Sequence, residues 1–243
     1  MLGNFIGTDV TGTQDLGNSG TGVGANSQNF ASNGNVIGGT AAGARNIISG
    51  NNGFGVGLNF VSGSFIQGNY IGTDVTGTVA IGNGNGGIGF FGSSNTTIGG
   101  DDDDDGILDG IVHARNIISG NPGPGISGTA SGNVALGNYI GTQADGISPL
   151  GNNSNGVEAG SISFTQFGGT APGAGNVIAF NTGDGVVARY MPMVGNKIFA
   201  NSGRGVSVFQ NVKPVTILGN SIFANGFLGI DLRTGPEDSF GVT

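Results

Sequence analysis

Short apolar runs recur along the chain and alternate with glycine, asparagine, serine and threonine. In one stretch the runs are Asn46-Ile47-Ile48, residues 55–60 and residues 64–67, and turn-forming residues separate them. Each run has the length of a β-strand and is too short for a stable helix. The pattern predicts three short strands in this repeating unit.

The unit repeats, and an Asn-x-Ile tripeptide marks its start. Copies of the tripeptide begin at Asn4, Asn46, Asn69, Asn116, Asn138, Asn176, Asn196 and Asn220. Intervals of 20 to 24 residues match one turn of a parallel β-solenoid, and intervals of 38 to 47 residues match a turn with inserted loops. Because parallel crossovers are almost always right-handed, the chain is predicted to be all-β, a right-handed parallel β-helix (solenoid) of about eight three-stranded turns.

The second strand of each turn supplies the most regular column of side chains. Its inward residues are expected to stack over one another and are Val23, Val56, Ile88, Ile126, Val157, Val186, Val206 and Ile230. Asparagines at matching places in successive turns predict a ladder of side-chain amides that includes Asn51, Asn121, Asn181, Asn201 and Asn225. Each turn can bury its apolar side only against its neighbours, so the stack is the cooperative unit.

Inserted loops interrupt the repeat at several places. We expect one β-helix domain over residues 1–243, a fragment of a longer protein, with inserted loops at about residues 8–21, 73–86, 101–113 and 142–155. The loops are predicted to lie outside the stacked turns, where they leave the core pattern unchanged.

The middle residue of Asn-x-Ile points outward if the isoleucine points inward. The resulting outer column is apolar and consists of Phe5, Ile47, Tyr70, Ile117, Tyr139 and Val177. It is either an interaction surface or covered by the inserted loops. Loop cover is favoured because the insertions begin directly after these strands and contain Val10, Val75 and Ile81.

Composition and charge narrow the choice of partners. The chain has 54 glycines among 243 residues, no cysteine, and a net charge of −8 with only seven lysines and arginines. Glycine at this level without a three-residue period indicates tight turns. The negative charge disfavours nucleic acid and anionic membranes, and no apolar stretch approaches the roughly 18 residues of a membrane helix. The lack of cysteine excludes disulfides, thiolate metal sites and thiol nucleophiles.

Five consecutive aspartates occupy an inserted loop, and their spacing resembles the first half of a calcium-binding loop. Carboxylates would come from Asp101, Asp103, Asp105 and Asp109, and a main-chain oxygen from Ile107. Gly106 supplies the sharp turn, but Val112 stands where an EF-hand has its bidentate glutamate. The hypothesis is a calcium site of extracellular affinity, and the alternative is a solvated acidic loop. His113 follows directly and is either a metal ligand, a base or a residue without a role.

Candidate catalytic groups are sparse on the outer face of the second strand. Glu158 and Asp231 are its only carboxylates and should lie three turns apart, roughly 14 Å at the usual strand spacing. This separation is too large for either glycosidase geometry. Glu158 with Arg189 on the next turn is the nearest approach to the acid cluster and basic proton acceptor of a lyase, but a surface ion pair between them is favoured. We therefore predict no catalytic residue.

Two arginines, Arg45 and Arg115, precede the same Asn-Ile-Ile sequence in different turns. An arginine that recurs with the repeat is more naturally structural than catalytic. We expect the pair to bind loop carbonyls, or the carboxylates of Asp9 and Asp74.

Two recurring blocks carry a resemblance to known proteins. Residues 68–78 read GNYIGTDVTGT, and residues 37–51 read IGGTAAGARNIISGN. With this pattern the chain resembles the parallel β-helix repeat proteins of the pectin-lyase-like superfamily, and more narrowly the repeat regions of secreted bacterial surface proteins. The resemblance implies the fold, but that fold hosts lyases, hydrolases, epimerases, phage tailspikes and adhesins.

These observations favour a non-catalytic structural or adhesive module that is extracellular or at the cell surface, with calcium in the acidic loop. Its partner would be carbohydrate or another surface protein. One alternative is a polysaccharide-active enzyme, a lyase or a glycoside hydrolase, on the same fold. Another is the subunit of a self-assembling fibre, since solenoid ends can pair end to end.

Overall fold

The computed structural model describes residues 1–27, 33–103, 109–189, 191–209 and 215–232, and within these ranges every regular element is a β-strand. The strands are β1 (Phe5–Ile6), β2 (Val23–Asn26), β3 (Val36–Gly38), β4 (Ile47–Ile48), β5 (Phe54–Asn59), β6 (Phe65–Gln67), β7 (Tyr70–Ile71), β8 (Gly86–Ser94), β9 (Thr97–Gly99), β10 (Ile117–Ile118), β11 (Ile126–Leu136), β12 (Tyr139–Ile140), β13 (Val157–Gly168), β14 (Val177–Ala179), β15 (Val186–Ala188), β16 (Met193–Val194), β17 (Lys197–Phe199), β18 (Val206–Val208), β19 (Ile217–Leu218), β20 (Ser221–Phe223) and β21 (Ile230–Leu232). The three strands predicted between residues 46 and 67 are confirmed to within one residue.

The strands stack in parallel into a β-helix of eight turns. The first sheet has the order β1-β4-β7-β10-β12-β14-β17-β20, and the second has the order β2-β5-β8-β11-β13-β15-β18-β21. A third row joins β3, β6 and β9 to the C-terminal part of β11, and continues through the end of β13 to β16 and β19. Three separate strands were predicted in every turn, but the middle turns differ. There β11 and β13 each run without a break from the second row into the third.

The inward column of the second strand is confirmed residue by residue. Val23 pairs with Val56, Val56 with Ile88, and the register continues without a slip to Ile230. From Val56 to Val206 these side chains are fully buried. A strict side-chain period of two keeps the whole column on the core face, because a slip of one residue would expose it.

Two ladders of asparagine run along the β-helix. The predicted ladder is confirmed and is longer than expected, since it contains Asn18, Asn51, Asn83, Asn121, Asn152, Asn181, Asn201 and Asn225. The second ladder was not predicted, and it consists of the asparagines that begin each Asn-x-Ile. In both ladders each Nδ2 donates to Oδ1 of the next asparagine at 2.8–3.1 Å.

The loops with the sequence GTDVTGT are closed by their own aspartates. Oδ1 of Asp9 accepts the amides of Thr13 and Gln14, both at 3.0 Å, and Oδ2 accepts the hydroxyl of Thr11 at 2.6 Å. These hydrogen bonds lower the pKa of Asp9 to about 2. Asp74 closes the next loop in the same way, through Thr76, Thr78 and Val79.

The outer apolar column is covered only in its middle, and the covering residues differ from those predicted. Ile47, Tyr70 and Ile117 are buried, Tyr139 and Val177 are half-buried, and Phe5 in the first turn is 41% exposed. Of the three residues expected to cover the column, Ile81 is buried, Val75 is 36% exposed and Val10 is 85% exposed. The prediction for Val10 was therefore wrong.

Glycine backbone provides the cover instead. A Cβ on Gly12 would lie 2.6 Å from the Phe5 ring, and one on Gly77 would lie 2.8 Å from the Tyr70 ring. Gly12 and Gly77 have φ of +69° and +70°, in the left-handed region where glycine is favoured. The rings thus pack directly on the loop main chain, and successive loops are joined by a hydrogen bond from Ala144 N to Gly77 O of 3.0 Å.

Candidate functional site

The acidic loop connects β9 to β10, and its described ends carry three of the predicted calcium ligands. Asp103 and Asp109 are exposed and Asp101 is partly exposed. Oδ1 of Asp101 accepts the amide of Asp103 at 3.2 Å, and Oδ1 of Asp109 accepts the amide of Ile111 at 2.9 Å. Asp105 and Ile107 lie outside the described residues. Within the described part of the chain no three potential ligands gather around one point, so the calcium site stays a prediction.

Asp102 points the other way and anchors the loop. Its side chain is only 6% exposed, and its Oδ2 accepts the amide of Gly110 at 3.0 Å, which ties the two ends of the loop together. The Asp102 amide donates to Pro172 O at 3.1 Å in a neighbouring loop. Exposure therefore differs along the run, since Asp102 is buried, Asp101 is partly exposed and Asp103 is exposed.

Arg45 and Arg115 are structural ties, as expected, and their partners are loop carbonyls. Nε of Arg45 donates to Gly68 O at 3.2 Å, and Nε of Arg115 donates to Gly137 O at 2.7 Å. The guanidinium carbons lie 4.1 and 4.0 Å from the ring centroids of Tyr70 and Tyr139. The other expected partners were wrong, because the carboxylates of Asp9 and Asp74 bind their own loops.

Burial distinguishes the two arginines. Desolvation lowers the pKa of Arg115, and the charges of Tyr139 and Asp102 oppose that effect. The side chain of Arg45 is exposed instead, and it borders a cavity of about 340 Å³ together with residues 39–43, Gly68 and His113. His113 thus lies at the edge of a cavity and not among the described calcium ligands.

The outer face of the second sheet holds the two carboxylates considered for catalysis. Glu158 pairs with Val187 on the next turn, Val187 with Ser207, and Ser207 with Asp231. This register confirms that Glu158 and Asp231 lie three turns apart. The ion pair expected between Glu158 and Arg189 was wrong. The Arg189 guanidinium instead lies 5.9 Å from the ring centroid of Phe209, and Glu158 is exposed.

One cluster of charges on this face was missed by the sequence analysis. Nε of Arg204 lies 2.6 Å from Oδ2 of Asp231, and its NH1 lies 4.0 Å from Oδ1 of Asp184. Asp184 also accepts hydrogen bonds from the Arg204 amide and the Ser207 hydroxyl. Asp184 precedes β15 in a corner, so a search confined to the strand positions did not include it. Both acids are engaged by the same arginine, which ties three turns together.

Comparison with known proteins adds no assignment. Over the described ranges no helix is long and apolar enough to cross a membrane. No family model, curated protein or solved structure matches the chain. Its function must therefore be argued from its own residues.

Proposed function

We propose that this chain is a non-catalytic structural or adhesive module of a secreted or cell-surface protein, and that its acidic loop binds calcium. The observation that carries the proposal is the loop itself: Asp102 joins its two described ends and binds a neighbouring loop, while Asp103 and Asp109 are exposed and Asp101 is partly exposed. Carboxylate oxygens are the ligands that calcium prefers. A bound ion would also relieve the repulsion among adjacent negative charges.

The surface chemistry supports a structural role. Along the outer column of the second strand the residues before Glu158 are Gly24, Gly57, Gly89 and Ser127, and these carry no acid or base. Further along, Asp184 and Asp231 are engaged by Arg204. Two amide ladders run from the first turn to the last and join all the turns, which suits a module that presents loops to carbohydrate or to another surface protein.

Thermal unfolding with calcium and with a chelator tests the metal part of the proposal. A loop of extracellular affinity, with Kd about 1 mM, gains about 1.4 kcal/mol at 10 mM calcium. For a domain of this size we expect the midpoint to rise by about 3–6 °C. Combined Asp103→Asn and Asp109→Asn substitutions should abolish the rise. Glu158→Gln, an exposed change of the same charge, should preserve it.

The same protein preparation tests the absence of catalysis. Incubation with anionic polysaccharides should release no shortened products with or without calcium. Cleavage of a polysaccharide would replace the proposal with the lyase or hydrolase alternative. A midpoint that calcium leaves unchanged would remove the metal site but not the structural role.

A further inference from the structure

Long and tight corners alternate where the third row of strands leads back to the first. Residues 39–46 form a long corner between β3 and β4, and the next long corner, between β9 and β10, is described over residues 100–103 and 109–116. The turn between them has only Gly68 and Asn69 at this place. Two long corners on either side of a tight one leave a space between them, with the tight corner as its floor.

The same arrangement occurs a second time, and there the protein fills the space itself. The long corner between β9 and β10 faces the long corner 169–175, with Gly137 on the floor. Val112 is 6% exposed, and its Cγ1 lies 3.2 Å from the position of a Cβ on Gly137. The Asp102 amide donates to Pro172 O of the opposite corner, and the buried Asp102 carboxylate accepts the Gly110 amide at 3.0 Å. Val112 and Asp102 therefore fill this space.

Among the described residues the first space holds a cavity of about 340 Å³, bordered by residues 39–43, Arg45, Gly68 and His113 and here called the Arg45 cavity. Ala42 stands three residues before Arg45, where the other corner has the larger Val112 three residues before Arg115. The two floors are alike, since Gly68 N donates to Ala114 O at 2.8 Å and Gly137 N donates to Ala174 O at 2.9 Å. Arg45 and Arg115 also make the same carbonyl bond and the same tyrosine stack.

The Arg45 guanidinium is oriented but only partly used. The Tyr70 ring and the Gly68 carbonyl hold its plane, and among the described residues it makes no ion pair and no further hydrogen bond. A planar guanidinium that is held in place presents its remaining N–H groups as a fork, and this fork matches the two oxygens of a carboxylate. The ionisable side chains in the described lining of the cavity are Arg45 and His113.

We propose that the Arg45 cavity binds a small ligand through its carboxylate, with Arg45 as the anchor. The Arg45 guanidinium, held by the Gly68 carbonyl and the Tyr70 ring at the border of the cavity, indicates that the ligand is a carboxylate. A volume of about 340 Å³ lies at the lower end of the usual range for ligand pockets. It suits one acidic sugar residue or one terminal amino acid. The site requires no metal and does not depend on the calcium proposal.

Titration by two-dimensional NMR tests this site, with the amides of residues 40–43 as reporters. Galacturonate represents an acidic sugar, N-acetylglycine represents a peptide carboxylate, and galactose is the neutral control. We expect at least one of the two carboxylates to shift these amides, with an affinity at least tenfold higher than that of galactose. The more tightly bound carboxylate identifies the source. Equal binding of galactose, or no shift with either acid, would overturn the proposal.

Two kinds of variant test separately whether binding requires the charge of Arg45 and whether it requires the open volume of the cavity. Arg45→Gln should weaken carboxylate binding at least tenfold, whereas the matched change Arg115→Gln should alter it less than twofold because Arg115 does not border the Arg45 cavity. Ala42→Phe keeps the arginine and narrows the cavity, so it should also weaken binding. Unaltered binding in Arg45→Gln would refute the site. Titrations in chelator should give the same affinities, which keeps this result distinct from the calcium test.

Discussion

Asn121 in the middle of the confirmed ladder offers the sharpest test of what stabilises this β-helix. Its side chain is 1% exposed. Nδ2 donates to Oδ1 of Asn152 at 2.9 Å and to two main-chain carbonyls, while Oδ1 accepts the amide and Nδ2 of Asn83 at 3.0 and 3.1 Å. Substitution of Asn121 by alanine removes all of these bonds at once.

The cost follows from the groups left behind. The Asn83 amide loses its acceptor inside the protein, and an unsatisfied buried donor costs about 1–3 kcal/mol. Asn83 Nδ2 keeps its bond to Ile48 O, and Oδ1 of Asn152 keeps the Asn121 amide, so their losses are smaller. The loss of two further hydrogen bonds, each with a net contribution of about 1 kcal/mol, brings the expected destabilisation by Asn121→Ala to about 4 kcal/mol.

Asn225→Ala at the last rung is the matched control. Asn225 is half-buried and makes the same kind of bonds, but water can replace them. Its loss should cost about 1 kcal/mol. Urea unfolding of both variants measures the two free energies. If Asn121→Ala costs no more than Asn225→Ala, the buried ladder does not stabilise the fold and the reasoning is wrong.

Two further predictions concern the corners and loops. Gly72→Ala should destabilise the fold by more than 2 kcal/mol, because φ is +95° and a Cβ would overlap Ser119 O and Asn121. Gly34→Ala is the control and should cost only about 1 kcal/mol, because φ is +70° there and a Cβ would meet no neighbouring atom. Equal costs in urea unfolding would contradict this prediction. Burial opposes ionisation of Asp74, but hydrogen bonds from Val79, Thr76 and Thr78 outweigh it and lower its pKa below 3.8. A carboxylate with a lowered pKa stabilises the folded state above the unfolded pKa and loses that contribution as pH falls through the folded pKa. Asp74→Asn should therefore cost about 1 kcal/mol at pH 7, and the difference from the unsubstituted protein should shrink below pH 4; a constant difference between pH 7 and pH 3 would argue against this.

The period of the sequence predicted most of the fold because a parallel β-helix converts spacing directly into contact. Residues one turn apart stack over each other, so the column from Val23 to Ile230 could be read from the repeat alone. The amide ladder through Asn121 was predictable for the same reason. The ladder through Asn69 was not recognised, since an asparagine before a strand is equally typical of a turn.

Contacts between loops could not be read in this way. The cover over Tyr70 comes from the main chain of Gly77, not from an apolar side chain, and only the path of the loop shows it. Arg189 lies over Phe209 and not beside Glu158, since long side chains on adjacent turns have several partners within reach. Asp184 lies in a corner and Asp231 in a strand, and Arg204 contacts both carboxylates.

The sequence by itself determined the stacked turns, the inward column and the position of the acidic loop outside the core. Only the tertiary structure decided which loops lie side by side, that Asp102 is buried while Asp103 is exposed, and that the described residues fill one space between long corners and leave a cavity in another. The physical reason is that core residues obey one short repeat, whereas each loop has its own length. Contacts between loops from different turns therefore depend on how all of the intervening corners place them.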